Sequence, residues 1–186
     1  MTYYGATELA RSFRTVRNNT LKIAEEIPED KYGFRPAEGC RSVAEYLVHI
    51  AVTSRVQEQI HFVEHLSTLA GFDFFGLMDK LRAEVAAPRT KAQILDLLRT
   101  EGEKYAKALE GVSETFLGEQ VAYPAGMEPP SKSRFEMLIA PKEHEMHHRG
   151  QLMVVQRMLG LKPHLTRHME ERIAAMKAAQ AAQTAS

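Results

Sequence analysis

Apolar residues recur along this chain at helical spacing, in stripes separated by turn-forming clusters. Leu9, Phe13, Val16, Thr20, Ile23 and Ile27 are spaced 4, 3, 4, 3 and 4, which predicts a first amphipathic helix ending before Pro28. Residues 28–41 hold two prolines and two glycines and read as a loop. Ser42, followed three residues later by Glu45, has the form of a capping box and opens a second helix. That helix is expected to run to about residue 69 and to stop near Gly71. Residues 72–87 read as a connector with a short helix near 77–85. Ile94, Leu97, Leu98, Tyr105 and Leu109 mark the buried face of a third long helix between Pro88 and Gly111.

Residues 112–133 contain three prolines and two glycines without helical periodicity, so a long loop is expected there. A fourth helix is predicted over 134–159 with Gly160 as its stop, and Pro141 inside it should kink or break it. A fifth begins near Leu165, and its Ala/Gln-rich end, 177–186, is expected to fray. No alternating strand pattern and no internal repeat is present. The expected fold is all-α: an antiparallel four-helix bundle with an extra C-terminal helix, in one domain over residues 1–186.

Composition narrows the function classes. Of 186 residues, 44% are hydrophobic and 26% charged, which excludes a disordered or fibrous chain. Lys plus Arg equals Asp plus Glu at 24 each, so no basic excess suits nucleic acid or an anionic membrane surface. Cys40 is the single cysteine, so no intrachain disulfide forms. It stands ahead of the second helix and reads as a plain loop cysteine. The N-terminus carries no apolar run of signal-peptide type, and no apolar run is long enough to span a bilayer. The expectation is a cytoplasmic protein acting on a small molecule.

The candidate chemistry lies in the histidines. Six of the eight form i, i+4 pairs: His61 with His65, His144 with His148, and His164 with His168. Such a pair projects from one helix face, one turn apart, and two imidazoles so placed can share a metal ion. His148 continues by helical steps into Leu152, Val155 and Leu159, so His144 and His148 should point into the bundle, whereas Arg149, Gln156 and Arg157 fall elsewhere and His147 is off the face. His61 and His65 sit among Glu58, Gln57, Glu64 and Thr68, and His164 and His168 beside Arg167 and Glu171, so both pairs read as solvated. His49 lines up with Val52, Val56 and Val63 on an apolar face of the second helix and is the candidate third ligand. Three histidines would leave a coordination position open, as catalytic zinc sites do. An inward histidine is also a common hydrogen-bonded core residue, and the spacing leaves both readings open.

At these residues the sequence resembles a known family. His144 to Leu152, HEMHHRGQL, resembles the C-terminal signature of the DinB-like proteins, and Ile27 to Ala51, with its Arg-Pro, Ser and His, resembles their loop and second helix. The resemblance spans roughly residues 4–165. It implies a four-helix bundle holding one divalent metal on His49, His144 and His148. Zinc or nickel would be the leading ion, iron or manganese an alternative. Members are often homodimers, and several are thiol-dependent transferases or isomerases that use bacillithiol, mycothiol or glutathione. The most concrete expectation is therefore a metal-dependent S-transferase with a low-molecular-weight thiol as cosubstrate. A metal-dependent hydrolase and a non-catalytic metal-binding or stress-response protein are the alternatives.

Around the site, Glu45 reads as a cap and Glu145 as a surface or supporting carboxylate. Gly150 should permit close helix approach and Arg149 should pair with a carboxylate.

Overall fold

The computed structural model describes residues 4–184. Residues 185 and 186, the end of the tail expected to fray, lie outside the described residues. The elements run α1 (Ala6–Glu26), α2 (Val43–Glu58), α3 (Phe74–Ala86), α4 (Lys91–Glu110), α5 (Glu114–Gly118), β1 (Gln120–Ala122), β2 (Ser131–Ser133), α6 (Arg134–Met158) and α7 (His164–Thr184). The four long helices α1, α2, α4 and α6 form the bundle, with α1 and α2 each packed against both α4 and α6. α7 is the extra C-terminal helix and stays helical to Thr184.

Local chemistry sets the helix ends. Ile27 leaves α1 in extended conformation, as the residue before a proline must. Three helices open with reciprocal capping boxes: Ser42 with Glu45 on α2, Thr90 with Gln93 on α4, and Ser133 with Glu136 on α6. α6 closes on Gly160 at φ 76, with Leu161 N–H donating to the Gln156 carbonyl at 2.8 Å. Pro141 neither ends nor interrupts α6. It sits in the core, where the buried Tyr105 hydroxyl donates to the Leu138 carbonyl of the preceding turn at 2.9 Å.

Three elements differ from the sequence expectation. α2 ends at Glu58 and passes into a π turn, Gln59–Val63, after which His65 turns the chain at φ 49. The connector holds a full helix, α3, capped by Asp73, whose carboxylate accepts from Gly76 N–H at 2.9 Å. The 112–133 segment is not a plain loop. It contains α5 and a two-stranded antiparallel pair registered Gln120↔Ser133 to Ala122↔Ser131. Strands of three residues are too short to write an alternation into the sequence.

A buried charge pair ties the bundle together. Arg17 of α1 and Glu145 of α6 are 3% and 1% exposed, and the guanidinium meets both carboxylate oxygens at 3.0–3.1 Å. Arg17 also donates to the Leu98 carbonyl of α4 at 2.7 Å and the Ile50 carbonyl of α2 at 3.3 Å. A Cβ on Gly102 would stand 2.8 Å from Arg17 Cγ and 2.9 Å from its Nη1, so α4 carries glycine where the arginine crosses it. Glu145 is therefore a core ion-pair partner rather than a surface carboxylate.

Two histidine pairs expected in solvent are each split. His61 is fully buried: Nδ1 accepts from Arg134 Nη1 at 2.9 Å and Nε2 donates to Gln57 Oε1 at 2.9 Å. Arg134 is held in turn by Glu119 at 2.8 Å and lies 4.6 Å over the Phe116 ring. His65, beyond the helix end, is exposed. His164 is buried against α1, with Nε2 3.3 Å from Asn19 Oδ1, and His168 is exposed. Gln156, expected away from the core, is also fully buried. His61 has both ring nitrogens bonded, whereas His164 and Gln156 each find one distant partner, Asn19 and Glu26, and His164 Nδ1 and Gln156 Oε1 have none among the described residues.

Replacing Arg17 by Met strands a buried carboxylate and should cost about 3–5 kcal/mol in urea denaturation. Removing both charges in Arg17→Met/Glu145→Met should recover most of that loss. A double variant no more stable than the single one would show that the pair is not the origin of the effect.

Burial first, then the Arg134 charge, pushes the His61 imidazole down to about 4, against roughly 6.5 when unfolded. The neutral ring is thus the folded form, so its stabilisation is complete above about pH 6.5 and declines as pH falls towards 4. Between pH 7 and 5 the urea midpoint of the native protein should fall more than that of His61→Gln. Equal falls would remove His61 as the cause.

Candidate metal centre

His49 lies two turns into α2, and His144 and His148 lie one turn apart on α6. Because α2 packs directly on α6, the three rings converge. His144 Nε2 is 3.0 Å from His49 Nε2 and 3.1 Å from His148 Nε2, and the three ligand atoms lie within 4.8 Å of one another. The structure brings together the three residues singled out in the sequence and leaves His147 exposed on the outer side of α6.

Neighbouring side chains orient the donors. His148 Nδ1 donates to Gln151 Oε1 at 2.6 Å, which leaves its Nε2 lone pair facing the cluster. Gln151 escaped the sequence reading as a positioning residue, although its place three residues after His148 was the available signal. The Tyr46 ring packs 5.5 Å from His148, and Thr53 Oγ1 donates to the His49 carbonyl at 2.6 Å. From behind, Arg17 grips Ile50 and Glu145, the residues that follow His49 and His144 in the chain. Glu45 caps α2 and pairs with Arg35 at 2.5 Å, as its capping role predicts.

The electrostatics keep all three imidazoles neutral. Burial is the leading cause of each depression. His49 falls to about 3, helped by the Arg41 charge and the other two rings, and His144 falls to about 4. His148 is lowered as well, against the opposing bond to Gln151. Neutral imidazole is the ligand form.

The donor set fits a cation. A proton on His144 Nε2 can be directed at one neighbouring nitrogen lone pair and not at both, so protons alone leave two close nitrogens in repulsion. One cation at the centre satisfies all three. Nitrogens about 2.0–2.1 Å from a tetrahedral zinc stand roughly 3.3 Å apart, close to the observed contacts.

Two neighbours behave differently from expectation. Arg149 makes no ion pair among the described residues, and burial lowers its pKa against the nearby Glu145 charge. Gly150 is exposed, and a Cβ there would meet nothing within 4 Å, so it does not mark a close helix approach. Of the cluster, His49 also lines a cavity of about 370 Å³, with Arg41, Glu45 and Thr53 on its side and Met78, Leu81 and Val85 of α3 on the other. Cys40 is a half-buried free thiol and does not line it. No helix among the described residues is long and apolar enough to cross a membrane.

Known proteins resemble this chain in sequence and fold. The uncharacterised protein YjoA of Bacillus subtilis is 26% identical over 161 residues, which is 83% of this chain and 91% of that protein. The crystal structure of YjoA, described as a DinB-like protein, superposes with a TM-score of 0.61 and covers 82% of this chain and 92% of its own. YfiT of Bacillus subtilis, described as a probable metal-dependent hydrolase with an unusual four-helix bundle topology, superposes with a TM-score of 0.65 at 13% identity, over 87% of this chain and 91% of its own. At that identity the likeness to YfiT concerns the fold. The family model of the DinB superfamily matches residues 12–152, a span that includes all three clustered histidines, and the chain belongs to that superfamily.

Proposed function

We propose that the protein is a divalent-metal-dependent enzyme whose ligands are His49, His144 and His148, with zinc or nickel as the resident ion, and that it transfers a small thiol to an electrophile. The convergence of three neutral Nε2 donors within 4.8 Å carries this reading. When bound, such an ion supplies Lewis acidity and lowers the pKa of a thiol or water beside it.

The chain's own residues favour a thiol as nucleophile. Hydrolysis calls for a general base or acid within reach of the reacting water. The carboxylate lining the cavity, Glu45, is engaged by Arg35 and by Ser42 N–H, and Glu145 is held by Arg17 in the core. A thiol starts near pKa 8.5 and needs no such partner once its proton has left for solvent. His49 lies on the cavity wall, and His148 is fixed by Gln151 with its Nε2 turned to the other two rings. Hydrolysis is the second reading, supported by the description of YfiT.

Elemental mass spectrometry of tag-free protein should find about one equivalent of transition metal, lost in His144→Ala and kept in His168→Ala. No metal after reconstitution with zinc, nickel or manganese would end the metal reading. Gln151→Leu should weaken metal binding by about 10–100-fold, the usual effect of losing such a support. An unchanged affinity would return Gln151 to a bystander.

A fluorogenic electrophile should be conjugated to glutathione, cysteine or bacillithiol by the metal-loaded protein and not by His144→Ala. Turnover of an ester probe without thiol would favour the hydrolase. Metal retention without either activity would leave a metal-binding protein.

A further inference from the structure

The cavity beside His49 carries on its wall a cationic side chain that the protein itself does not neutralise. The arginines around it are occupied. Arg35 pairs with Glu45, Arg82 with Asp79 at 2.6 Å, Arg55 with Glu101 at 2.8 Å and with Glu84, and Arg89 with Glu84 at 3.5 Å. Arg41 lines the cavity next to His49, is exposed, and makes no hydrogen bond or ion pair among the described residues.

A positive charge at that place opposes a metal cation, so it weakens the centre it adjoins unless an anion joins them. The guanidinium offers a planar fork that matches a carboxylate. Across the cavity, Met78, Leu81 and Val85 of α3 form an apolar wall, which Val56 of α2 extends. The volume, about 370 Å³, is within the range of small-ligand sites. An anionic point beside His49 and an apolar wall opposite describe one kind of molecule.

We propose that this cavity takes a small ligand with one carboxylate, paired by Arg41, and an apolar body lying against Met78, Leu81 and Val85, and that Arg41 sets the charge selectivity of the site. This names the substrate class of the proposed enzyme and rests on that reading for its link to catalysis. The pairing itself requires no metal.

Hexanoate, acetate and hexan-1-ol serve as probes, titrated by calorimetry or chemical-shift perturbation into metal-loaded and metal-free protein. Hexanoate should bind about tenfold more tightly than hexan-1-ol, through the charge-assisted pair, and more tightly than acetate, through the wall. Arg41→Gln should reduce hexanoate affinity about tenfold, leave hexan-1-ol unaffected and retain its metal. Arg82→Gln, whose charge Asp79 already takes, should bind hexanoate as the native protein does.

Hexanoate affinity insensitive to Arg41→Gln, loss in Arg82→Gln instead, or no preference over the alcohol would overturn the proposal. Equal binding of acetate and hexanoate would overturn its apolar half. Arg41-dependent hexanoate binding in a protein that retains no metal would uphold the selectivity and end the metal reading. Retained metal with a silent Arg41 would do the reverse.

Discussion

The guanidinium of Arg17 is the point at which the four long helices meet. It projects from α1, crosses α4 where Gly102 leaves room, bonds the backbones of α4 and α2, and ends on the carboxylate of Glu145 in α6. Charges this deeply buried are costly unless paired and hydrogen-bonded. Only a narrow set of helix positions provides all four contacts at once. Two of those contacts, Ile50 and Glu145, adjoin His49 and His144 in the chain. The constraint that registers the bundle thus also fixes where the imidazoles converge.

That coupling explains why rings on two separate helices can sit 3.0 Å apart. Hydrophobic packing is non-directional and tolerates small slides between helices. A buried ion pair with backbone acceptors on two further helices does not. The histidines face a low-dielectric interior that keeps them neutral, while the cavity beyond His49 is rimmed by charge. Uncharged donors inside and an unneutralised Arg41 at the edge divide the site into a part suited to a cation and a part suited to an anion.

The long helices were legible because each carries its own apolar period and its own terminus chemistry: the α1 stripe, the Ser42–Glu45 box and the Gly160 stop all act within a few residues. His144 and His148 were legible for the same reason, since one helix face places both. The π turn after Glu58 and the short β pair were not, and α3 was legible only as a short helix near 77–85. The β pair depends on partners elsewhere in the chain, as when Leu69 N–H meets the Ala122 carbonyl at 2.8 Å.

Histidine burial shows the same division. Local neighbours made His61 and His164 look solvated, yet His61 finds Arg134 seventy-three positions away and His164 finds Asn19 across the bundle. Glu145 looked peripheral because nothing nearby in sequence announces Arg17 as its partner. The sequence by itself determined the helical period, the caps, the absence of a net charge and which two histidines share an inward face, because these depend on spacings of three or four residues. Only the tertiary structure decided that His49 completes the cluster, that Gln151 orients it, and that Arg41 stands unpaired beside it. Each of those depends on which helices pack together and on which partners other residues have already taken.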